Sequence, residues 1–323
     1  MIATRKLSGS NRPVTEIGLG CATFAFDASP QSIDDARQML GNALNIGINH
    51  YDTSPFYGRG LSERLVGDAL RGRTDLILSS KVGRLLHPDA NASTHMPFRV
   101  AFDYSYDGVM KSVEHSYHRL GLSKIDILYA HDLGQYTHGD NASTQFATFF
   151  DGGGYRALEE LRSSGDVGAI GLGVNEVSIC QQVMEYGQFD VFLLAGRHTL
   201  IERKGALELF HSCEQTGTDI VIGGPFNSGM LVGGDTYNYR AIPEEVTQAY
   251  RQLRDYCVEQ EVAMGAAALQ FPLRHHVVKS VIPGPKNPAE LEQILKWYNT
   301  EIPEPFWDGL DALNDILYGL NYA

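Results

Sequence analysis

Short apolar runs bounded by turn residues recur along the chain, and most are separated by segments with a helical period. The runs IGLGC (17–21), INHYDTS (48–54), LILSSKVG (76–83) and IDILYAHD (125–132) read as strands, as do VGAIGLGV (167–174), VFLLAG (191–196), DIVIGG (219–224) and SVIPG (280–284). Residues 31–46 place Ile33, Ala36, Met39, Leu40, Ala43 and Leu44 on one helical face. Residues 108–120 do the same with Val109, Val113, Ser116, Tyr117 and Leu120, and 154–163, 176–186, 202–215 and 244–259 continue the alternation. Eight strands with intervening helices predict an α/β fold, a closed (β/α)8 TIM barrel forming one domain over 1–323. Residues 4–15 predict a small hairpin before the first strand, turning around Gly9 and Asn11.

The competing architecture is an open, doubly wound sheet with a second domain. Two glycine runs, Gly18-Leu19-Gly20 and Gly171-Leu172-Gly173, invite that reading, but Thr23 and Glu176 stand where a dinucleotide fingerprint needs its third glycine. No linker-like composition divides the chain, which favours the barrel. The longest irregular stretches, 84–103 and 133–153, follow the third and fourth strands, and a shorter one, 225–242, follows the seventh. All three fall on the rim where barrels carry their sites, so they are expected to wall a pocket. A helical run over 303–318 (Phe306, Trp307, Leu310, Leu313, Ile316, Leu317) is expected to pack over the barrel.

Charge narrows the partners. The 26 Lys and Arg against 39 Asp and Glu give a net charge of −13, with no local basic patch, which speaks against a nucleic-acid binder. Cys21, Cys180, Cys213 and Cys257 lie far apart and form no CxxC pair, as expected of a reduced cytoplasmic protein. No segment approaches the apolar length of a membrane span, and the first residues lack a signal-peptide core. The expected partner is a small-molecule substrate; no homo-oligomer is predicted. His115 and His118 imitate a metal pair at helical spacing, but a surface helix face accounts for them and no metal is expected.

In a barrel, the informative residues are polar ones at the C-terminal ends of strands. The second strand ends in Asp52 and its loop carries Tyr57; the third contains Lys81; the fourth ends in His131. A lysine in a wall-forming run needs an acid partner, and Asp52 is the natural one. A tyrosine, with a pKa of ~10, is a poor base near neutrality. An ammonium at about 4 Å, at an effective dielectric near 20, is worth roughly 4 kcal/mol, or about 3 pKa units. Lys81 is therefore expected to draw the Tyr57 phenol towards neutrality while Asp52 holds the ammonium and His131 directs a substrate oxygen. Such a set suits proton transfer at a hydroxyl or carbonyl oxygen, the companion of hydride transfer at carbon.

Three elements resemble the aldo-keto reductase family: Asn49-His50-Tyr51-Asp52-Thr53-Ser54-Pro55-Phe56-Tyr57-Gly58 followed by Ser62-Glu63, then Ser80-Lys81-Val82, then Leu128-Tyr129-Ala130-His131. The resemblance runs in matching order from about residue 4 to 300. It implies a (β/α)8 barrel binding a nicotinamide cofactor at the rim, and a catalytic tetrad of Asp52, Tyr57, Lys81 and His131 with Tyr57 as general acid or base. The segment Val281-Ile282-Pro283-Gly284-Pro285-Lys286-Asn287-Pro288-Ala289-Glu290 resembles the family's adenosine-phosphate segment. NADP users there carry Lys-Ser at the positions of Gly284-Pro285 and Arg at that of Glu290. A carboxylate in that place repels a 2′-phosphate and suits a ribose hydroxyl, so NAD is expected, with Lys286 as the argument for NADP.

By the same resemblance, Asn175 meets the nicotinamide carboxamide, while Ala195 and Gly223 replace the family's usual glutamine and stacking tyrosine, leaving Phe226 as a candidate ring. Pro225, Phe226, Asn227, Ser228 and Gly229 are expected beside the pyrophosphate, with Asn227 and Ser228 free to contact it. The segments GVNEVS, LLAGRHTLIE and GGPFNSGML are similar to the aldose 1-dehydrogenase branch, whose members act on L-fucose, D-arabinose or L-galactose, with a relative that oxidises pyridoxal to its lactone. The implied reaction is oxidation of a cyclic hemiacetal. Phe24 and Phe56 are candidate pocket walls, and His87 and His138 candidate substrate ligands, with His95 in the same loop as His87. The rivals are an NADPH-dependent aldehyde reductase using the same residues and a non-catalytic nucleotide-binding subunit.

Overall fold

The computed structural model describes residues 2–10, 12–24, 27–92 and 95–313. Eight parallel strands follow one another around the sheet: β1 (Leu19–Gly20), β2 (His50–Asp52), β3 (Ile77–Val82), β4 (Ile127–His131), β5 (Ala169–Val174), β6 (Val191–Ala195), β7 (Asp219–Gly223) and β8 (Val278–Ile282). The two ends of the sheet meet. Ile17 bridges Val281 in parallel, the Gly18 N–H donates to the Val281 carbonyl at 2.9 Å, and the Val281 N–H donates to the Glu16 carbonyl at 2.8 Å. The eight predicted strands and the barrel are thus borne out, with helices on the outside.

Side chains alternate along each strand, which sorts the residues into two layers. Ile77, Ile127, Tyr129, Ala169, Val191, Leu193, Val221 and Ile282 fill the barrel interior. Leu78, Leu128, Ile170, Leu172 and Ile222 face outward and pack with the helices. The predicted hairpin pairs Thr4–Lys6 with Pro13–Thr15 and contributes Leu7 and Val14 to the interior, closing its lower end. Gly9 lies in its turn at φ 68, and Asn11 lies outside the described residues. The second glycine run is a packing feature. A Cβ at Gly171 would sit 1.6 Å from the Val191 carbonyl, and one at Gly173 would come within 3.2 Å of the Lys81 Cε. Gly173 leaves room for the lysine stem inside the barrel, and Gly171 for the β6 backbone.

The predicted helices appear where the apolar faces are long enough to bury. Pro30–Ile46 starts at Ser29, whose Oγ accepts the Ser32 N–H at 3.1 Å, ends at Gly47 with φ 86, and buries Ala36, Met39, Leu40 and Ala43. The helix predicted over 202–215 starts later, at Leu207, because Thr199 and Glu202 exchange backbone hydrogen bonds in a turn.

The stretches expected to be irregular carry structure of their own. Residues 84–103 contain an antiparallel hairpin, Arg84–Pro88 against Phe98–Phe102, lying on the rim. Residues 133–153 contain helices Gln135–His138 and Ala142–Phe150. Residues 225–242 contain a 3-10 segment, Asn227–Val232, and a minimal ladder of Thr236–Tyr237 with Arg240–Ala241. These elements are largely half-buried, so their apolar positions do not form the continuous runs that mark a barrel strand. Met230, Leu231 and Tyr237 join Phe306, Trp307 and Leu310 of helix Glu304–Ala312 in a second apolar cluster beneath the third stretch. Ile316 and Leu317 lie outside the described residues. The four cysteines are free and buried, and among the described residues no helix is long and apolar enough to cross a membrane.

Candidate active site

The period of two that fills the barrel with Ile77 and Ile127 carries Lys81 and His131 to the same inner face at its upper end, with Asp52 beside them. Asp52 and Lys81 are almost wholly buried and meet at 2.6 Å, Nζ to Oδ2. Lys81 also donates to the Thr53 carbonyl at 2.9 Å, and Ser79 Oγ donates to Asp52 Oδ1 at 2.7 Å. Burial pushes the Asp52 carboxyl up, while Lys81 and Ser79 pull it back.

Tyr57 opens a tight turn after Asp52. Gly58 and Arg59 take left-handed conformations there (φ 54 and 48), and Arg59 Nη1 donates to the Phe98 carbonyl at 2.7 Å, tying the turn to the rim hairpin. Behind it, buried Glu63 accepts from Ser80 Oγ at 2.8 Å and pairs with Arg119. These anchors bring the Tyr57 ring to 4.7 Å from Lys81 Nζ and edge-on to His131, with ring centroids 5.8 Å apart.

His131 is held at Nδ1. Ser54 Oγ accepts the Phe56 N–H at 2.9 Å, which leaves the Ser54 hydroxyl hydrogen for His131 Nδ1 at 3.3 Å. The remaining hydrogen then belongs on Nε2, which faces Asp132 Oδ2 at 3.3 Å. Burial, helped by the charges of Arg84 and Lys81, drives the imidazole well below its usual pKa, so it is a neutral hydrogen-bond donor at physiological pH. Beneath it, the Tyr104 hydroxyl donates to the His131 carbonyl at 2.6 Å and lies 3.0 Å from His138 Nε2.

The expected lowering of the Tyr57 pKa is corrected by this geometry. Burial raises the phenol well above 10, Asp52 raises it further, and Arg84 pulls it back. The main physical reason is burial of the phenol, and the Asp52 charge, 2.6 Å from Lys81, adds to it by offsetting part of the ammonium's field. In this state Tyr57 is a neutral acid.

The other half of the mouth is built from small residues and backbone. Ala195 and Gly223 face each other across β6 and β7, and a Cβ at Gly223 would lie 3.4 Å from that of Ala195. Asn227, Ser228 and Gly229 are all left-handed, at φ 46, 59 and 100. Asn227 Nδ2 donates to the Gly196 carbonyl at 3.2 Å, and its Oδ1 is buried without a partner. Ser228 is less free than expected, since its Oγ accepts the Tyr239 N–H at 2.9 Å. Asn175 Nδ2 donates to the Ala195 carbonyl at 3.1 Å. Glu290 lies in the first turn of helix Pro288–Tyr298. It accepts from the Lys286 N–H at 2.9 Å and from Asn287 Nδ2 at 3.3 Å, while Asn287 Oδ1 accepts the Glu290 N–H at 3.0 Å. Gly284, Lys286 and Glu290 are exposed.

Several sequence candidates are placed differently from expectation. Phe24 is 0% exposed and belongs to the apolar core, so it walls no pocket. Phe226 turns its ring edge-on to Trp297, 5.5 Å away, which engages it in packing rather than as a ring for a nicotinamide. Pro225 is buried beside it. Phe56, 40% exposed, stays at the mouth. His138 is joined to the site through Tyr104, whereas His87 is half-buried on the rim hairpin and His95 is exposed in its turn.

Arg84, Tyr104 and Tyr239 at the mouth escaped the sequence reading, and Asp132, legible at the end of the fourth strand, was given no role. Arg84 pairs with Asp132 and lies over the rings of Phe56 and Phe102. The rule that singled out Lys81, a cation in or just beyond a wall strand, extends to Arg84 three residues later.

The sequence profile of the Aldo/keto reductase family matches residues 16–315. The chain is 38% identical over 327 residues to a pyridoxal 4-dehydrogenase of Microbacterium luteolum, covering 95% of this chain and 96% of that protein. It is 33% identical over 312 residues to a D-threo-aldose 1-dehydrogenase of a Pseudomonas species, covering 91% and 92%. In fold it is similar to an aldo-keto reductase, AKR11C1, from Bacillus halodurans in its holo form, with a TM-score of 0.75 at 23% identity over 97% of this chain and 96% of that one.

Proposed function

This chain belongs to the aldo/keto reductase family, and from that premise we propose that it is an NAD-dependent dehydrogenase that oxidises a cyclic hemiacetal to a lactone. The substrate is the anomeric hydroxyl of an aldose of the L-fucose, D-arabinose or L-galactose type, or the hemiacetal of pyridoxal. The observation that carries this reading is the convergence of Tyr57, His131, Lys81 and Asp52 at the barrel mouth. The pyridoxal and aldose dehydrogenases among the relatives, at 38% and 33% identity, supply the substrate class. The reading takes 1–323 as one barrel domain working in the cytoplasm, in keeping with four free, buried cysteines.

Aldo-keto reductases use a nicotinamide cofactor, and the residues opposite the tetrad suit one. The buried, unpartnered Oδ1 of Asn227 offers an acceptor, and the left-handed run 227–229 turns the backbone beside it. Ala195 and Gly223 bring no bulky or charged side chain to the ends of β6 and β7. When bound, the oxidised nicotinamide supplies the hydride acceptor. Asn175 would contact its nicotinamide end, and Ser228, Gly229, Gly284 and Lys286 its phosphates and adenosine; Asn227, expected beside the pyrophosphate, has its unpartnered acceptor Oδ1 better suited to a carboxamide N–H than to a phosphate.

The chain's own residues handle the proton and the orientation. His131 donates its Nε2 hydrogen to the oxygen of the reacting hydroxyl and fixes its direction. Once the phenol has lost its own proton to solvent, the Tyr57 oxygen, as phenolate, takes the hydroxyl proton as the carbon gives up its hydride, so the C–O single bond becomes the lactone carbonyl. Lys81 stabilises negative charge developing on the phenol before proton transfer, and Asp52 fixes the ammonium in place. The reverse reaction uses the same groups with Tyr57 as donor.

Glu290 supports NAD. Its carboxylate is held at the helix start by the Lys286 N–H and Asn287, where a 2′-phosphate would meet like charge. The test incubates the protein with each aldose and with pyridoxal, using NAD and NADP in parallel, and identifies the product by NMR. Lactone formation with a higher kcat/KM for NAD is expected. A tenfold or greater preference for NADP, or no lactone, overturns the reading.

A further inference from the structure

The mouth holds an ion pair that the proposed chemistry does not use. Arg84, the first residue of the rim hairpin, is 7% exposed and pairs through Nη2 with Asp132. Its guanidinium lies 4.1 Å from the Phe56 ring centroid and 5.1 Å from that of Phe102, and its Nε is buried without an acceptor. Burying an incompletely satisfied guanidinium is poor design for stability alone. Asp132 carries a second cost. It is a non-glycine residue at φ 51, a backbone state sparsely occupied by side-chain-bearing residues, held there by its N–H bond to the Gly173 carbonyl at 2.9 Å.

That strained backbone puts one carboxylate oxygen, Oδ2, against both Arg84 and His131 Nε2. The cation and the carboxylate therefore border the atom that would bind the reacting hydroxyl. A substrate whose hydroxyl takes the His131 hydrogen brings the next oxygen of its ring to the Arg84–Asp132 pair. The pair offers that oxygen a guanidinium donor and, where it bears hydrogen, a carboxylate acceptor. Phe56, the exposed ring beside Arg84, provides the apolar surface on which a ring would lie.

We propose that Arg84 and Asp132 form a subsite that recognises the oxygen neighbouring the hemiacetal: the 2-hydroxyl of an aldose, or the ring 3-oxygen of pyridoxal. The proposal rests on the hemiacetal reading above and names what that site selects. Both substrate classes carry this feature, as a neutral hydroxyl in one and an ionisable oxygen in the other.

The test compares each substrate with its analogue lacking that oxygen, L-fucose with 2-deoxy-L-fucose and pyridoxal with 3-deoxypyridoxal, in the wild type, Arg84→Met and Arg84→Lys. A wild type that discriminates about 10²-fold in kcat/KM, with the ratio falling to within about threefold in Arg84→Met, is the expected result. Arg84→Lys, which keeps the charge but not the fork, should retain part of the ratio and serves if the methionine variant does not fold. Collapse in only one arm identifies the source of the oxygen and supports the subsite. If both members of each pair lose activity equally in both variants, Arg84 is structural and the proposal fails. A wild type that oxidises none of these hemiacetals fails the hemiacetal reading itself, a result visible before any variant is made.

Discussion

The two halves of the barrel mouth are built by opposite means. From β2 to β4 come Asp52, Lys81 and His131, buried charged or polar side chains: Asp52 and Lys81 are hydrogen-bonded to each other and to Ser79 and Thr53, and His131 to Ser54. From β6 onward come Ala195, Gly223 and a left-handed turn, which contribute small side chains and backbone rather than charge. Proton transfer needs groups fixed within hydrogen-bond reach, so its residue types are narrowly constrained. Holding a large cofactor needs room and backbone donors, which many sequences provide.

The strongest way to break the comparison is Tyr57→Phe. It should lower kcat by roughly 10²–10⁴-fold while cofactor affinity, followed by fluorescence titration, is retained. A matching loss of cofactor affinity would mean the halves are not separable. Lys81→Met comes next: it strands Asp52 at 2% exposure and should cost about 3–5 kcal/mol in urea unfolding. Pairing it with Asp52→Leu should restore most of that stability without restoring activity. Equal stability of the single and double variants would show that the pair is not a buried ion pair.

The pH dependence sharpens the same point. Burial raises the Tyr57 phenol, and oxidation needs its proton removed, so the oxidative rate should climb from pH 6 through pH 9 without a plateau. Reduction needs the protonated phenol and should stay level over that range. His131 is held well below its usual pKa and should add no inflection there. An oxidative plateau near neutrality would restore the lowered phenol expected from sequence. The mildest change belongs to the cofactor half. Glu290→Arg should move the kcat/KM ratio of NADP to NAD up by about tenfold or more while loosening the helix start by about 1 kcal/mol. An unmoved ratio would remove Glu290 from cofactor selection.

The division also explains what the sequence made legible. Asp52, Lys81 and His131 could be placed because a strand's period of two carries them to the inner face already marked by Ile77 and Ile127. Arg84 escaped because it follows Gly83 into a half-buried rim hairpin with no continuous apolar run. Phe24 resembled a pocket wall, but a large ring just beyond a strand end can equally fold under the helices, and it does. The Tyr57 pKa depended on the burial of its phenol, which the position of a loop tyrosine in the sequence does not encode. The capping role of Glu290 was readable in Asn287-Pro288-Ala289-Glu290, a cap residue three positions before a glutamate.

The central claim is hydride transfer from a hemiacetal carbon with Tyr57 taking the proton. Substrates deuterated at the reacting carbon, L-fucose at C1 and pyridoxal at its aldehyde carbon, test it most directly when the reduced cofactor is analysed by mass spectrometry. Deuterium should pass stoichiometrically to the nicotinamide in the wild type, and in Tyr57→Phe only at the residual rate. Deuterium released to solvent, or full-rate transfer without the Tyr57 hydroxyl, would contradict it.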